Sequence, residues 1–157
     1  MSDRKILVGI ISDTHGLVRP EAIAALEGSD LIIHAGDVGK SEVIDRLRAV
    51  APTFAVRGNI DTQPWAARLP MIERVEVGET WFCVIHEISQ LRLTAAAAGF
   101  AAVVFGHSHQ PLIETRDGVV YLNPGSAGPR RFRLPVTIAR VRVSGRAIAP
   151  EIVQLDV

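Results

Sequence analysis

Five short apolar runs in this chain each stop at residues that can ligate a metal ion. The first, Ile6 to Ile11, is rich in β-branched residues and reads as a strand buried on both faces. It ends in Ser12-Asp13-Thr14-His15-Gly16. A carboxylate and an imidazole two residues apart can point the same way where the backbone stays extended, and both groups bind divalent metals. Leu31 to His34 stops at Ala35-Gly36-Asp37, and Thr53 to Arg57 stops at Gly58-Asn59-Ile60-Asp61. Thr80 to Ile85 ends at His86, and Ala101 to Phe105 at Gly106-His107-Ser108-His109. One Asp-x-His is a weak signal. Its recurrence at strand ends is a strong constraint, because open α/β sheets place their sites at the carboxyl ends of strands.

The intervening segments fit that architecture. Arg19 to Glu27 reads as a helix with Pro20 suited to its first turn. Glu42 to Val50 has helical spacing, with Ser41 as its expected N-cap. Strands alternating with helices indicate βαβ units and a parallel sheet. The second half differs. Gln63 to Pro70 is irregular, Glu73 to Val77 pairs with Thr80 to Ile85, and Leu91 to Ala98 is expected to be an Ala-rich helix closed by Gly99. Leu112 to Thr115 and Val119 to Leu122 flank Asp117-Gly118, a strong hairpin signal. Val136 to Val143 and Ala147 to Leu155 form a terminal antiparallel pair. The expectation is a single domain over 1–157, with two packed sheets and helices outside.

Composition narrows the function classes. The chain is 48% apolar, which excludes disorder. Its 17 Lys and Arg balance 17 Asp and Glu, so it carries no general footprint for nucleic acid or an anionic membrane. The one cysteine, Cys83, sits in an apolar run and reads as a packing residue in a reducing compartment. Asp3, Arg4 and Lys5 precede the first strand, unlike a signal peptide, and no apolar run is long enough to cross a bilayer. A cytoplasmic location is expected.

Laid side by side, the strand ends give Asp13 and His15, Asp37, Asn59, His86, and His107 with His109. This set resembles the calcineurin-like metallophosphoesterases, whose pattern is D-x-H, G-D, G-N-x-D, H, G-H-x-H. Within that superfamily the chain resembles the small bacterial and archaeal phosphodiesterase group, including Asn123-Pro124-Gly125-Ser126 and Pro129-Arg130. The resemblance implies an α/β fold, a four-layer α-β-β-α sandwich with two mixed sheets. It implies two divalent metals, manganese first, with nickel, iron, zinc or cobalt also acceptable to such ligands. Asp13, His15, Asp37 and His109 would hold one ion, and Asp37, Asn59, His86 and His107 the other, with Asp37 bridging. Asp37, Asn59 and His86 carry the catalytic roles in this reading. The implied reaction is in-line attack on a phosphate ester by a hydroxide bridging the ions, a phosphodiester more than a monoester. The implied substrate is a small phosphate ester, and relatives of this size are commonly homo-oligomers. The rival is a non-catalytic metal-binding interaction module of the same fold, as in a retromer subunit. The intact ligand set favours the enzyme.

Two positions depart from the pattern. Ile60 stands where many members carry a proton-donating His, which points to esters with good leaving groups. Glu87 follows His86 where glycine is typical, and it can strain the loop, alter access or add a carboxylate near the metals. Other polar residues receive plainer readings. His34 is expected to be a satisfied buried histidine, with orientation of a ligand as the minor alternative. Asp61 is expected to cap a turn, Asn123 and Ser126 to shape their loop, and Ser108 to be no nucleophile. Arg130, Arg131 and Arg133 are expected to form a solvated surface, with Arg130 as the candidate for binding substrate phosphate. Trp65 and Trp81 are read as packing residues, with Trp65 also able to line a substrate mouth.

Overall fold

The computed structural model describes residues 5–96 and 98–157. Strands β1 (Lys5–Ile11), β2 (Leu31–His34) and β3 (Thr53–Ala55) run parallel. Helices α1 (Pro20–Leu26) and α2 (Ser41–Arg48) connect them. The terminal hairpin, β9 (Thr137–Ser144) and β10 (Ala147–Gln154), returns to lie antiparallel beside β1, giving the order β10-β9-β1-β2-β3. The second sheet has the order β4-β5-β6-β8-β7. Its strands are β4 (Ile72–Val77), β5 (Thr80–Ile85), β6 (Ala102–Val104), β7 (Leu112–Arg116) and β8 (Val119–Asn123). Here β5, β6 and β8 are parallel, while β4 and β7 pair antiparallel at the edges.

Alternation along the strands builds the layers. Val8, Ile10 and Ile33 of the first sheet meet Val75, Phe82, Val84, Val104 and Leu122 of the second in one buried core. Burying each such side chain contributes about 1.5–3 kcal/mol. On the outer face of the first sheet, Ile11, Ile32 and Ile138 pack under Leu26 of α1 and Val43, Ile44 and Leu47 of α2. The outer face of the second sheet, with Cys83, Ile85, Val103 and Phe105, is covered by Ala95, Phe100, Ile88 and Leu91.

That last cover is where local expectations change. Residues 91–96 and 98 form bends and turns instead of a helix, and Ala97 lies outside the described residues. So short a segment is marginal as a helix. A 3-10 turn at Ile88–Gln90 and the loop after it fill the layer. Trp81, on the same face, extends past this cover and is 44% exposed, so it is not the packing residue expected. Trp65 packs partly buried beside the α2 cluster. Ser41 is the first residue of α2, and Lys40 holds the N-cap position with no side-chain cap. Asp117 and Gly118 both have positive φ, as a tight hairpin turn between β7 and β8 requires.

Candidate metal centre

All the expected ligands leave the carboxyl ends of parallel strands, from both sheets. Asp13 and His15 follow β1, Asp37 follows β2, Asn59 follows β3, His86 follows β5, and His107 and His109 follow β6. Backbone hydrogen bonds zip these exits together. The N–H groups of Asp13, His15 and Gly16 donate to the carbonyls of Gly36, Asp37 and Val38 at 2.9, 3.0 and 2.8 Å. Gly106 N–H donates to the His86 carbonyl at 2.9 Å, and Ala127 N–H to the Ser12 carbonyl at 3.1 Å.

The side chains converge by a route the sequence did not show. The backbone does not stay extended through Asp13 and His15. Of the seven non-glycine residues with positive φ among those described, five are Asp13 (55°), His15 (48°), Asp37 (55°), His107 (75°) and His109 (64°). Such left-handed positions cost energy and are kept where the surroundings over-determine them, commonly at functional sites. Glycine makes room for the approach. A Cβ on Gly58 would overlap the Asp37 nitrogen and Oδ1, and one on Gly106 would lie 2.6 Å from Asp13 Oδ2.

Each aspartate has one oxygen pinned and one turned inward. Asp13 Oδ2 accepts from Ser12 Oγ at 2.7 Å and from His107 N–H at 3.2 Å. Its Oδ1 is buried with no hydrogen-bond donor and lies 3.3 Å from His109 Nε2, 3.9 Å from His86 Nε2 and 4.0 Å from His15 Nε2. Asp37 Oδ1 accepts from Ile60 N–H at 3.2 Å, and its Oδ2 lies 3.6 Å from His15 Nε2 and 3.4 Å from His86 Nε2. His86 Nδ1–H donates to the Ala35 carbonyl at 2.7 Å, which turns Nε2 and its lone pair toward the aspartates. The Nε2 atoms of His15 and His86 and Nδ1 of His109 are also buried without partners. Buried polar atoms are rarely left unpaired. Asp13 Oδ1 and the Nε2 atoms of His15 and His86, orphaned and facing one another, are the arrangement a cation satisfies, and His109 faces Asp13 through Nε2. Two three-residue groups have metal-ligand spacing, Asp13–His15–His109 and Asp13–Asp37–His86. Asp13 belongs to both, and Asp37 reaches a histidine of each.

The charged groups act on one another. Burial pushes the Asp37 pKa up, but contact with His86, the Ile60 N–H and the His15 ring outweigh it and hold the group down to about 2. Burial works against a charged His86, and Asp37, Asp13 and the Ala35 carbonyl raise its pKa above the ordinary value. His15 goes the other way: burial lowers its pKa, His109 and Arg131 add to that, and Asp37 and Asp13 oppose it.

Asn59 is exposed and shares with His86 and Glu87 a cleft of about 110 Å³, also lined by Arg57, Met71 and Gln90. His107 is 45% exposed and lies outside both three-residue groups. Glu87 has ordinary extended angles (φ −114°, ψ 110°), so it does not strain the loop. Arg130 is exposed, and its guanidinium donates to the Val157 carbonyl at 3.2 Å.

The surrounding polar residues serve the loops. His34 Nδ1 accepts from Gly36 N–H at 3.1 Å, so Nε2 carries the proton and donates to Thr14 Oγ1 at 3.0 Å. Thr14 in turn donates to the Val38 carbonyl at 2.8 Å. The ring is satisfied, as expected, and it also ties the Asp13 and Asp37 loops together. Asp61 caps Gly58 N–H at 2.9 Å and reaches further, accepting from Val38 and Gly39 N–H at 3.0 and 2.9 Å. Asn123 Nδ2 donates to the Gly106 carbonyl at 3.1 Å and Ser126 Oγ to the Asp13 carbonyl at 3.0 Å. Ser108 Oγ accepts from Asn123 Nδ2 at 3.2 Å. Ser12 and Thr14 escaped the sequence reading, since a small hydroxyl residue at a strand exit carries no distinctive signal.

The family model of the calcineurin-like phosphoesterase superfamily domain matches residues 6–146. The chain belongs to the calcineurin-like phosphoesterase superfamily. It is 33% identical to a Methanothermobacter thermautotrophicus protein named "Probable metallophosphoesterase", across 95% of this chain and 92% of that one. An archaeal phosphodiesterase of known structure has the same fold at a TM-score of 0.79 and 23% identity, covering 94% of this chain and 100% of that one. Chaetomium thermophilum Vps29 shares it too, at 0.77 and 18% identity, covering 96% of each. Likeness at such identities shows the fold alone, and what it does in this member is argued from the donor set.

Proposed function

We propose that this chain is a metal-dependent phosphoesterase whose centre takes two divalent ions and acts on small phosphodiesters. The observation that carries the reading is the cluster of buried, partnerless donor atoms, Asp13 Oδ1, His15 Nε2 and His86 Nε2, turned toward one another. Asp13, His15, His109 and Asp37 would hold one ion, and Asp37, Asn59, His86 and His107 the other. Divalent ions in such a centre supply Lewis acidity toward a phosphoryl oxygen and activate water at neutral pH.

The chain's own groups do the rest. Asp37 stays ionised down to about pH 2, so its carboxylate is available throughout the neutral range. The Ile60 N–H fixes the direction of that carboxylate, while the Ile60 side chain has no proton to give a leaving alcohol. Esters whose leaving group departs as an anion, such as aryl esters, are therefore favoured. Arg130 stays the candidate for meeting substrate phosphate, because a guanidinium matches phosphate oxygens. The diester preference rests on the resemblance of the motif set to the small phosphodiesterase group.

The test is hydrolysis of an aryl phosphodiester and the matching monoester by metal-stripped protein, with and without added manganese. Metal-dependent turnover, faster on the diester and absent in Asp37→Asn, is expected. No turnover despite about two bound ions per chain would turn the reading toward a binding module.

A further inference from the structure

Asp13 and Asp37 supply the buried carboxylates of the centre, and a third carboxylate reaches it from the surface. Glu87 directly follows His86, and its Oε1 lies 3.6 Å from His107 Nε2. The other carboxylate–imidazole approaches in the centre run from 3.3 to 4.0 Å, so this pair is spaced as they are. Two ligand atoms bonded to one ion at about 2.1 Å are about 3.0–3.6 Å apart when their angle is about 90–120°.

An exposed ion pair is the ordinary account of such a contact and is worth little. The surroundings argue for more. Glu87 is 27% exposed, less than His107. The His107 ring stands edge-on to His86 with centroids 5.4 Å apart, so the imidazole that Glu87 meets borders the donor set. Glu87 also shares the cleft wall with Asn59 and His86, two of the donors proposed for the second position. His107 lies apart from both buried groups, and the carboxylate it meets is Glu87.

We propose that Glu87 is a further metal-ligating carboxylate that completes the second position with His107, His86, Asn59 and Asp37. This rests on the two-metal reading above.

Manganese is titrated calorimetrically into metal-stripped wild type, Glu87→Gln, Glu87→Gly and His107→Ala, with bound ions counted by electron paramagnetic resonance. Wild type should take two ions. Each variant should keep one with unchanged affinity and lose affinity for the other by about tenfold or more. Unchanged affinity for both ions in the two Glu87 variants, with loss in His107→Ala, overturns the assignment and leaves the two-metal reading standing. A tighter second ion in Glu87→Gly also overturns it, because Glu87 then restrains His107. Fewer than two ions on wild type overturns the assignment together with the reading it rests on.

Discussion

Asp37 Oδ2 lies 3.4 Å from His86 Nε2, although Asp37 follows a strand of one sheet and His86 a strand of the other. The contact is locked from behind, where His86 Nδ1 donates to the Ala35 carbonyl. A Cβ on Gly36 would come within 2.6 Å of that same nitrogen. The centre is thus a seam between sheets, and its geometry depends on how they pack.

Asp37 faces histidines of both positions, whereas the carboxylate that His109 meets among the described residues is Asp13. Asp37→Asn is expected to weaken both ions together, whereas His109→Ala weakens mainly one. Equilibrium dialysis against manganese reads the difference, with losses of about tenfold or more at the affected site. Full metal content and activity in Asp37→Asn would remove it from the bridging role.

Asp61 accepts three backbone N–H groups from two loops. Asp61→Asn leaves one oxygen to accept and sets an NH₂ against a backbone donor. The expected cost is about 2 kcal/mol, measured by urea denaturation of metal-free protein. Metal affinity should fall as well, since Val38 and Gly39 adjoin Asp37.

Full burial, reinforced by the His86 charge and opposed by Asp13, Asp61 and Asp37, lowers the His34 pKa from 6.5 to about 4. Between those values the unfolded chain binds a proton that the folded chain does not. Stability from this group is therefore full above pH 6.5 and is lost as pH falls toward 4. A gap of that size is worth roughly 3 kcal/mol. His34→Asn should lower stability at pH 7 and flatten the acid slope, which urea titrations across pH 4–7 would record. An unchanged slope would assign the acid loss to other groups.

Gly58→Ala should destabilise by about 1–3 kcal/mol, because the new methyl meets the Asp37 backbone and carboxylate, which have little freedom to move. A lower urea midpoint at unchanged slope, with weaker manganese binding, is the expected result.

The parallel strands and the residues at their ends were legible because a buried strand needs a continuous apolar run, and an interruption by Asp, Asn or His stands out against it. The Asp117-Gly118 turn was legible for a similar reason, as few residues accept its backbone angles. Convergence was harder to read. Asp13 and His15 meet their partners through left-handed backbone, a conformation imposed by the facing loops and not by their own propensity. The stretch from Leu91 misled because alanine favours helix only where length or packing sustains one. Trp81 misled because the resulting cover stops short of it. The pairing of Glu87 with His107 joins two loops distant in sequence, so spacing had no means of announcing it.

Val8 pairs with Val141, so the strand that leads to Asp13 takes one of its two neighbours from near the far end of the chain. A growing polypeptide exposes every ligand residue well before that partner exists. Pairing across such a separation is slow, so the proposed metal centre is expected to form late in folding. Metal uptake would then mark completed synthesis: a chain released before β9 would carry the whole proposed ligand set without the strand that supports Asp13.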